Sequence, residues 1–308
     1  MDRRVSAVDL MLLGTILLWA LNVTVTRYVV THGFRPLAYG TSRYVAATAL
    51  FILFTWQRER SFRIRIADWP LVALAALLIF ANQVCFVVAV HDTSASTVGL
   101  VFGASPIFAG AIATLAGLER LGRRFWAAAA ITCAGVGFVA TGSGGGVSGD
   151  ATGDLIAIGT AVTWSAYSVA IAPLMRRYSP IRISALVLGL GSLPLGLVSV
   201  PELAGQSFGA LGWEAWLGLA YGVVGPLFLT NILWFTALGR VGAARATLVA
   251  NLQPLFAVVF AIVLLSESLD RWEIVGGVLI AAGIVLERAR RRRPARLAGE
   301  LAPGDAAP

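Results

Sequence analysis

The chain has 308 residues, 58% hydrophobic and 13% charged, with a mean hydropathy of +0.81. A soluble domain carries about a quarter charged residues, and a chain this apolar would show large apolar patches to water. Composition therefore excludes a soluble enzyme, a disordered tail and a collagen-like fibre, and points to a polytopic membrane protein. The net charge of +8 is not a nucleic-acid signature, because all 24 basic residues are arginines in short clusters between apolar runs, without interleaved aromatics.

Apolar runs fall at 8–30, 37–56, 69–90, 94–117, 124–141, 153–174, 181–200, 213–238, 242–265 and 272–287. A membrane-crossing helix needs about 20 apolar residues, so an all-α protein of ten spans is expected. The first run is too long for the apolar core of a cleaved signal peptide and reads as a span. The stretch Gly142–Asp154, rich in Gly, Ser and Thr, divides the runs into five and five. The expected organisation is a five-helix repeat at 8–141, a linker at 142–152, a second repeat at 153–287 and a basic tail at 288–308.

With the N-terminus in the cytoplasm, inner segments hold 20 arginines and outer segments 3, namely Arg27, Arg35 and Arg271. Cytoplasmic loops carry the excess of basic residues, so both termini are expected inside, in a multi-pass protein of the inner (plasma) membrane. The tail Arg288–Arg296 then faces anionic lipid. Cys85 and Cys133 lie in separate apolar runs, with neither metal spacing nor a disulfide framework.

The two halves repeat. Shifting residues 93–139 by 148 positions sets Pro106 on Pro254, Phe108 on Phe256, Glu119 on Glu267, Leu121 on Leu269, Arg123 on Arg271 and Gly135 on Gly283. A shift of 145 sets Gly14-Thr15 with Trp19 on Gly159-Thr160 with Trp164. Five spans per half is an odd number, so the second half must enter the membrane inverted. Inverted repeats are the signature of secondary transporters, with substrate held near the midplane.

On these residues the chain resembles the EamA family of the drug/metabolite transporter superfamily. The resemblance rests on the five-plus-five plan, the paired Pro…Glu-x-Leu-x-Arg segments, the two Gly-Thr…Trp spans and Arg43 after Pro36. It implies a carrier that alternates between inward- and outward-open forms and exports amino acids, other metabolites or drugs. Within the repeat Arg43 has no basic counterpart: aligning Pro36 with Pro180 gives Val187.

Polar groups in lipid are costly and face the bundle interior or a wet cavity. Thr15, Trp19, Asn22 and Thr26 share one helical face of the first span. The sixth span repeats it with Thr160, Trp164 and Tyr167, followed by Ser168. The third span offers Asn82 and Gln83, the eighth Tyr221, Asn231 and Trp234, and the ninth Thr247 and Asn251 before Pro254. These are the candidate substrate contacts, together with Arg43, the one ionisable residue deep in a span. Three roles are open to Arg43: it can hold a substrate carboxylate bidentately, snorkel outward, or cap backbone carbonyls between helices. Gly99 and Gly103 suit close helix packing, and Gly103 opposite Asn251 makes the cavity asymmetric. Pro106 and Pro254 each free a backbone carbonyl and are expected to kink their spans.

No Asp or Glu lies at mid-membrane depth. A neutral or zwitterionic amphipathic small molecule is therefore the expected substrate, exported without strict proton coupling through a buried acid. Drug efflux is the first alternative. An organic-phosphate or nucleotide-sugar exchanger would want more basic groups, and a channel would want rings of identical groups. An intramembrane enzyme would want Ser with His, paired Asp or a zinc motif, and none is present. No cofactor, metal or nucleic-acid partner is expected; the partners are a small-molecule substrate and the bilayer, and a monomer suffices. With both termini inside, alkaline phosphatase fused to the C-terminus is expected to be inactive and a fluorescent protein fused there bright; an active phosphatase would overturn the orientation.

Overall fold

The computed structural model describes residues 7–118, 120–142, 151–234, 236–237, 240, 249–250 and 252–288. Glu119, Thr247, Asn251, most of the linker and most of the tail lie outside the described residues. Among the described residues the chain is helical without strands. The helices are α1 (Ala7–Thr31), α2 (Pro36–Arg58), α3 (Trp69–Asp92), α4 (Ala95–Phe102), α5 (Ser105–Leu115), α6 (Arg123–Gly142), α7 (Ala151–Arg177) and α8 (Pro180–Ala204). They continue with α9 (Trp213–Trp234), α10 (Gln253–Leu265) and α11 (Arg271–Arg288).

Local chemistry sets several helix starts. Proline occupies the first turn of α2, α3, α5, α8 and α10, where its missing N–H has no intrahelical partner to lose and its fixed φ is already helical. Ser94 caps α4 by accepting from the Thr97 N–H at 2.9 Å, relieving one orphan donor.

Among the described residues six helices are long and apolar enough to cross a membrane, or seven when α4 and α5 count as one span. Every one of the ten apolar runs carries helix, but three fall outside that count: α6, which starts on Arg123-Arg124, the shorter α10, and α11, which carries Arg271 and Glu273 at one end and Glu287 and Arg288 at the other. Two breaks interrupt runs read as continuous. The fourth run bends by 45° between α4 and α5, at Gly103-Ala104 just before Pro106. Within α9, Val223–Leu229 is π-helical around Pro226. A proline inside a helix removes one hydrogen bond and clashes with the preceding turn, and the wider π geometry takes up that misfit. Gly225-Pro226 was the signal for it in the sequence.

In two pairs, α2–α8 and α6–α11, equivalent helices of the two halves pack directly on each other and run antiparallel. At one end of the α2–α8 pair, Glu202 of α8 accepts from the backbone N–H groups of Leu37 (2.7 Å) and Ala38 (3.2 Å), at the start of α2. At the other end Glu59, just past α2, pairs with Arg182 near the start of α8 at 2.7 Å. Thr41 donates to Ser199 at 2.6 Å between them. In the α6–α11 pair a Cβ on Gly135 would lie 2.7 Å from the Gly276 carbonyl, and one on Gly283 would lie 2.8 Å from the Ala128 carbonyl. Phe138 stacks on Trp272 at 5.6 Å. Likewise α3 lies against α7 as α9 lies against α1, and α4–α5 lie against α7 as α10 lies against α1. The contacts thus map onto themselves when the halves are exchanged.

The glycines of α6 and α11 therefore set helix separation. Gly135→Val is expected to destabilise the purified protein by about 1–3 kcal/mol, as overpacking does. Gly137→Val, two residues on with nothing within 4 Å of its Cβ position, is expected to change stability by less than about 0.5 kcal/mol. Equal thermal midpoints for the two variants would remove this role for the α6–α11 contact.

Candidate functional site

A cavity of about 460 Å³ lies at the contact of the two halves, lined from α1, α2, α3, α4–α5, α7, α9, α10 and α11. That volume suits a small organic molecule.

One wall is aromatic. Trp19 of α1 and Trp164 of α7, superposed by the repeat, meet edge to face with ring centroids 6.5 Å apart. Trp234, at the end of α9, lies 5.3 Å from Trp19. The Trp19 indole N–H donates to the Pro226 carbonyl at 3.3 Å, so the π-helical stretch of α9 holds the ring.

The opposite chemistry comes from Arg43 of α2. The residue is 2% exposed. Nη1 donates to Asn22 Oδ1 at 3.1 Å and Nη2 to Gln83 Oε1 at 2.7 Å, while Nε has no partner. The rings of Tyr39, Phe86 and Tyr44 surround it at 5.3, 5.4 and 5.8 Å. Two glycines make the room: a Cβ on Gly222 would stand 2.9 Å from Arg43 Cδ, and one on Gly40 would stand 3.0 Å from Gln83 Nε2. Of the three roles open to Arg43, two do not match this geometry. It does not snorkel, and its hydrogen bonds go to side-chain amides rather than backbone carbonyls.

Trp19, Asn22, Arg43, Asn82, Gln83 and Trp164 all line the cavity, as do Gly103, Pro106, Trp234 and Pro254. Asn82 also ties α3 to α7 by donating to the Thr160 carbonyl at 2.9 Å. Gly103 packs 3.1 Å (from its Cβ position) against Pro254, so the break between α4 and α5 meets the start of α10. Pro106 and Pro254 sit in the first turns of α5 and α10 rather than inside continuous helices. The fourth span breaks just ahead of its proline.

Three candidates do not line it. Tyr167 packs among apolar residues of α2, α3 and α8, its ring 5.6 Å from Trp164. Tyr221 donates to the Leu18 carbonyl at 2.8 Å, joining α9 to α1. Asn231 donates to the Leu227 carbonyl at 2.8 Å and accepts from Ser184 at 3.2 Å, joining α9 to α8. These hydrogen-bonding side chains fasten helices, a common use of polar groups in lipid. Asn251 is among the undescribed residues.

Sequence reasoning passed over Tyr44, Phe86, Phe102, Ser105, Ser165, Gln253 and Ile284, which also line the cavity. Ser165 and Gln253, polar residues inside apolar runs, carried a usable signal. Phe86, Phe102 and Ile284 carried none, since an apolar residue facing a cavity reads like one facing lipid.

The EamA-like transporter family model matches residues 6–141 and 151–287. A Streptantibioticus cattleyicolor protein named "Probable terminal-alkyne amino-acid exporter" is 29% identical over 244 residues, covering 77% of this chain and 80% of that protein. The Bacillus subtilis "Uncharacterized transporter YwfM" is 26% identical, covering 84% of this chain and 86% of its own length. A solved crystal structure is similar in fold, with a TM-score of 0.63 at 21% identity, covering 93% of this chain and 98% of that one.

Accessibility tests the lining. In a Cys85→Ala, Cys133→Ala background, Ser168→Cys is expected to react with a small charged thiol reagent, because Ser168 lines the cavity. Asn231→Cys is expected not to react. Equal labelling of the two would remove the distinction.

Proposed function

Since this chain belongs to the EamA-like transporter family and is a multi-pass membrane protein, we propose that it exports amino acids or similar small amphipathic metabolites by alternating access. In this reading the ten apolar runs are ten crossings with both termini in the cytoplasm. Residues 8–141 and 153–287 are the two inverted repeats, joined by 142–152.

The observation that carries the reading is the central cavity walled by Trp19 and Trp164, one from each repeat. A site built from both halves changes its exposure when one half rocks against the other. Antiparallel packing of equivalent helices supports two states of similar energy, related by exchange of the repeats. Trp19, Trp164 and Trp234 offer flat apolar surface, and Asn22, Asn82, Gln83 and Arg43 offer polar contacts; that mixture suits an amino-acid-sized ligand. The name of the Streptantibioticus relative supports both the substrate class and the direction. Gly103, Pro106 and Pro254, where α4–α5 meets α10, are the proposed points of bending. Tyr167, Tyr221 and Asn231 act in this reading as fasteners of the helices that present the cavity. A single guanidinium weighs against an exchanger of phosphate esters, which would bring more charge than it could neutralise.

The test is metabolite profiling of medium and cells. It compares overexpressed wild type, Trp164→Ala at equal membrane level and an empty vector. A compound released by wild type and not by the vector is expected. Loss of one aromatic contact, worth about 0.5–1.5 kcal/mol, is expected to weaken its binding about two- to tenfold and to lower release at limiting substrate. Identical profiles for wild type and vector, across media supplying amino acids and their derivatives, would sink the export reading.

A further inference from the structure

Arg43 is the single charged residue among the described cavity-lining residues. A buried charge is expensive unless an opposite charge and hydrogen bonds compensate it. Here the compensation is incomplete. The two bonds, to Asn22 and Gln83, use two of the five N–H donors of a guanidinium, and both acceptors are neutral amides. Three aromatic faces help, but cation–π attraction does not cancel a charge. Gln83 Nε2 also has no partner, buried beside Gly40 of α2. Its amide cannot turn over to use that donor toward Arg43, since N–H would then face N–H. Among the described lining residues the cluster thus holds one positive charge and no acidic side chain to balance it.

We infer that Arg43, with Gln83 and Asn22, is a carboxylate subsite, and that the cargo is an amphipathic organic monocarboxylate bound with net negative charge. The inference rests on the export reading in taking the cavity as the cargo site, and it replaces the neutral or zwitterionic molecule expected from sequence with a monoanion. One guanidinium neutralises one negative charge, which selects a carboxylate over a phosphate dianion. A planar carboxylate also matches the guanidinium fork. No carboxylate side chain is among the described lining residues, so an ammonium on the ligand meets no counter-charge and is repelled by Arg43. The amino group of a zwitterion is therefore not a recognition element, and an acylated or missing amino group is tolerated. Scale follows from α1: Asn22, which touches Arg43, is three residues from Trp19, or about 5 Å along the helix. A ligand reaching from the guanidinium to the indole wall is thus the size of an amino acid.

The test is equilibrium binding to the purified protein in lipid nanodiscs by calorimetry. The probes share an indole: indole-3-propionate and N-acetyltryptophan (monoanions), tryptophan (zwitterion), N-acetyltryptophanamide (neutral) and tryptophanamide (cation). A second pair, 3-phenylpropionate and 3-phenylpropanamide, removes dependence on indole. The monoanions are expected to bind about tenfold to a hundredfold tighter than the neutral amides, the range of one charge-assisted hydrogen bond. Tryptophan should bind no tighter than N-acetyltryptophan, and tryptophanamide weakest. Arg43→Gln is expected to abolish the preference for carboxylate over amide. Arg43→Lys should restore part of it. The wild-type series decides the matter even where Arg43→Gln does not fold. Amides binding as well as acids, tryptophan binding tenfold tighter than its N-acetyl form, or no binding by any carboxylate would overturn the subsite. The two readings fail separately. Carboxylates that bind in this order but are never exported would leave the subsite and remove the export reading. An exported cation that depends on Trp164 but not on Arg43 would do the reverse.

Discussion

Helix-on-helix contact in a bilayer gains little from the hydrophobic effect, because lipid tails are as apolar as leucine. This fold depends instead on close backbone approach and on polar groups that have nowhere else to go. The α6–α11 contact shows the first device. At Gly135, Gly276 and Gly283 any side chain would collide with the partner's backbone, so the two helices sit closer than larger residues allow. The α2–α8 contact shows the second, with Thr48 against Ser192 in the middle, Thr41 on Ser199 nearer one end, and Glu202 and Glu59 fastening the two ends. Both contacts join equivalent helices of the two halves, and the repeat symmetry is built on them.

The cavity follows from the same geometry. Where equivalent helices pack tightly they leave no space, and the cavity lies where α1 and α7 present Trp19 and Trp164 instead. Departures from symmetry concentrate there too. The π-helical stretch of α9 has no counterpart in α3, which is regular throughout, and its Pro226 carbonyl orients Trp19. Arg43 occupies one half only. A cavity with a cation on one side and indoles on the other can orient an amphipathic ligand, which a symmetric cavity could not.

A further link ties the α10–α11 corner to α4. Ser266, at the end of α10, takes a left-handed conformation (φ 55°), costly for a residue with a Cβ. The turn delivers Glu267 to the start of α4, where its carboxylate accepts from the backbone N–H groups of Ala95 and Ser96 at 2.9 Å each. A carboxylate at a helix N-terminus is favoured by both orphan donors and the helix dipole. It joins α4, which breaks beside the cavity, to the opposite half.

Much of this was legible in the sequence. The apolar runs, the Pro106/Pro254 and Trp19/Trp164 registers and the lone Arg43 are one-dimensional patterns, because span length, helical phase and the cost of charge in lipid act on the local chain. The breaks were partly legible: proline marks where a helix must change, but not whether it kinks, widens to π or starts anew, which depends on what the neighbouring helix offers the freed groups. The distinction between lining and fastening was not legible. Asn22 and Asn231 look alike in sequence, yet one reaches Arg43 at the cavity and the other Ser184 between packed helices. Phe86 and Ile284 reach the cavity with no polar mark at all. The sequence by itself determined an all-helical membrane protein built from two related halves. Tertiary structure alone decided which polar side chains face the cavity, since that turns on the rotation of each helix against neighbours distant in the chain.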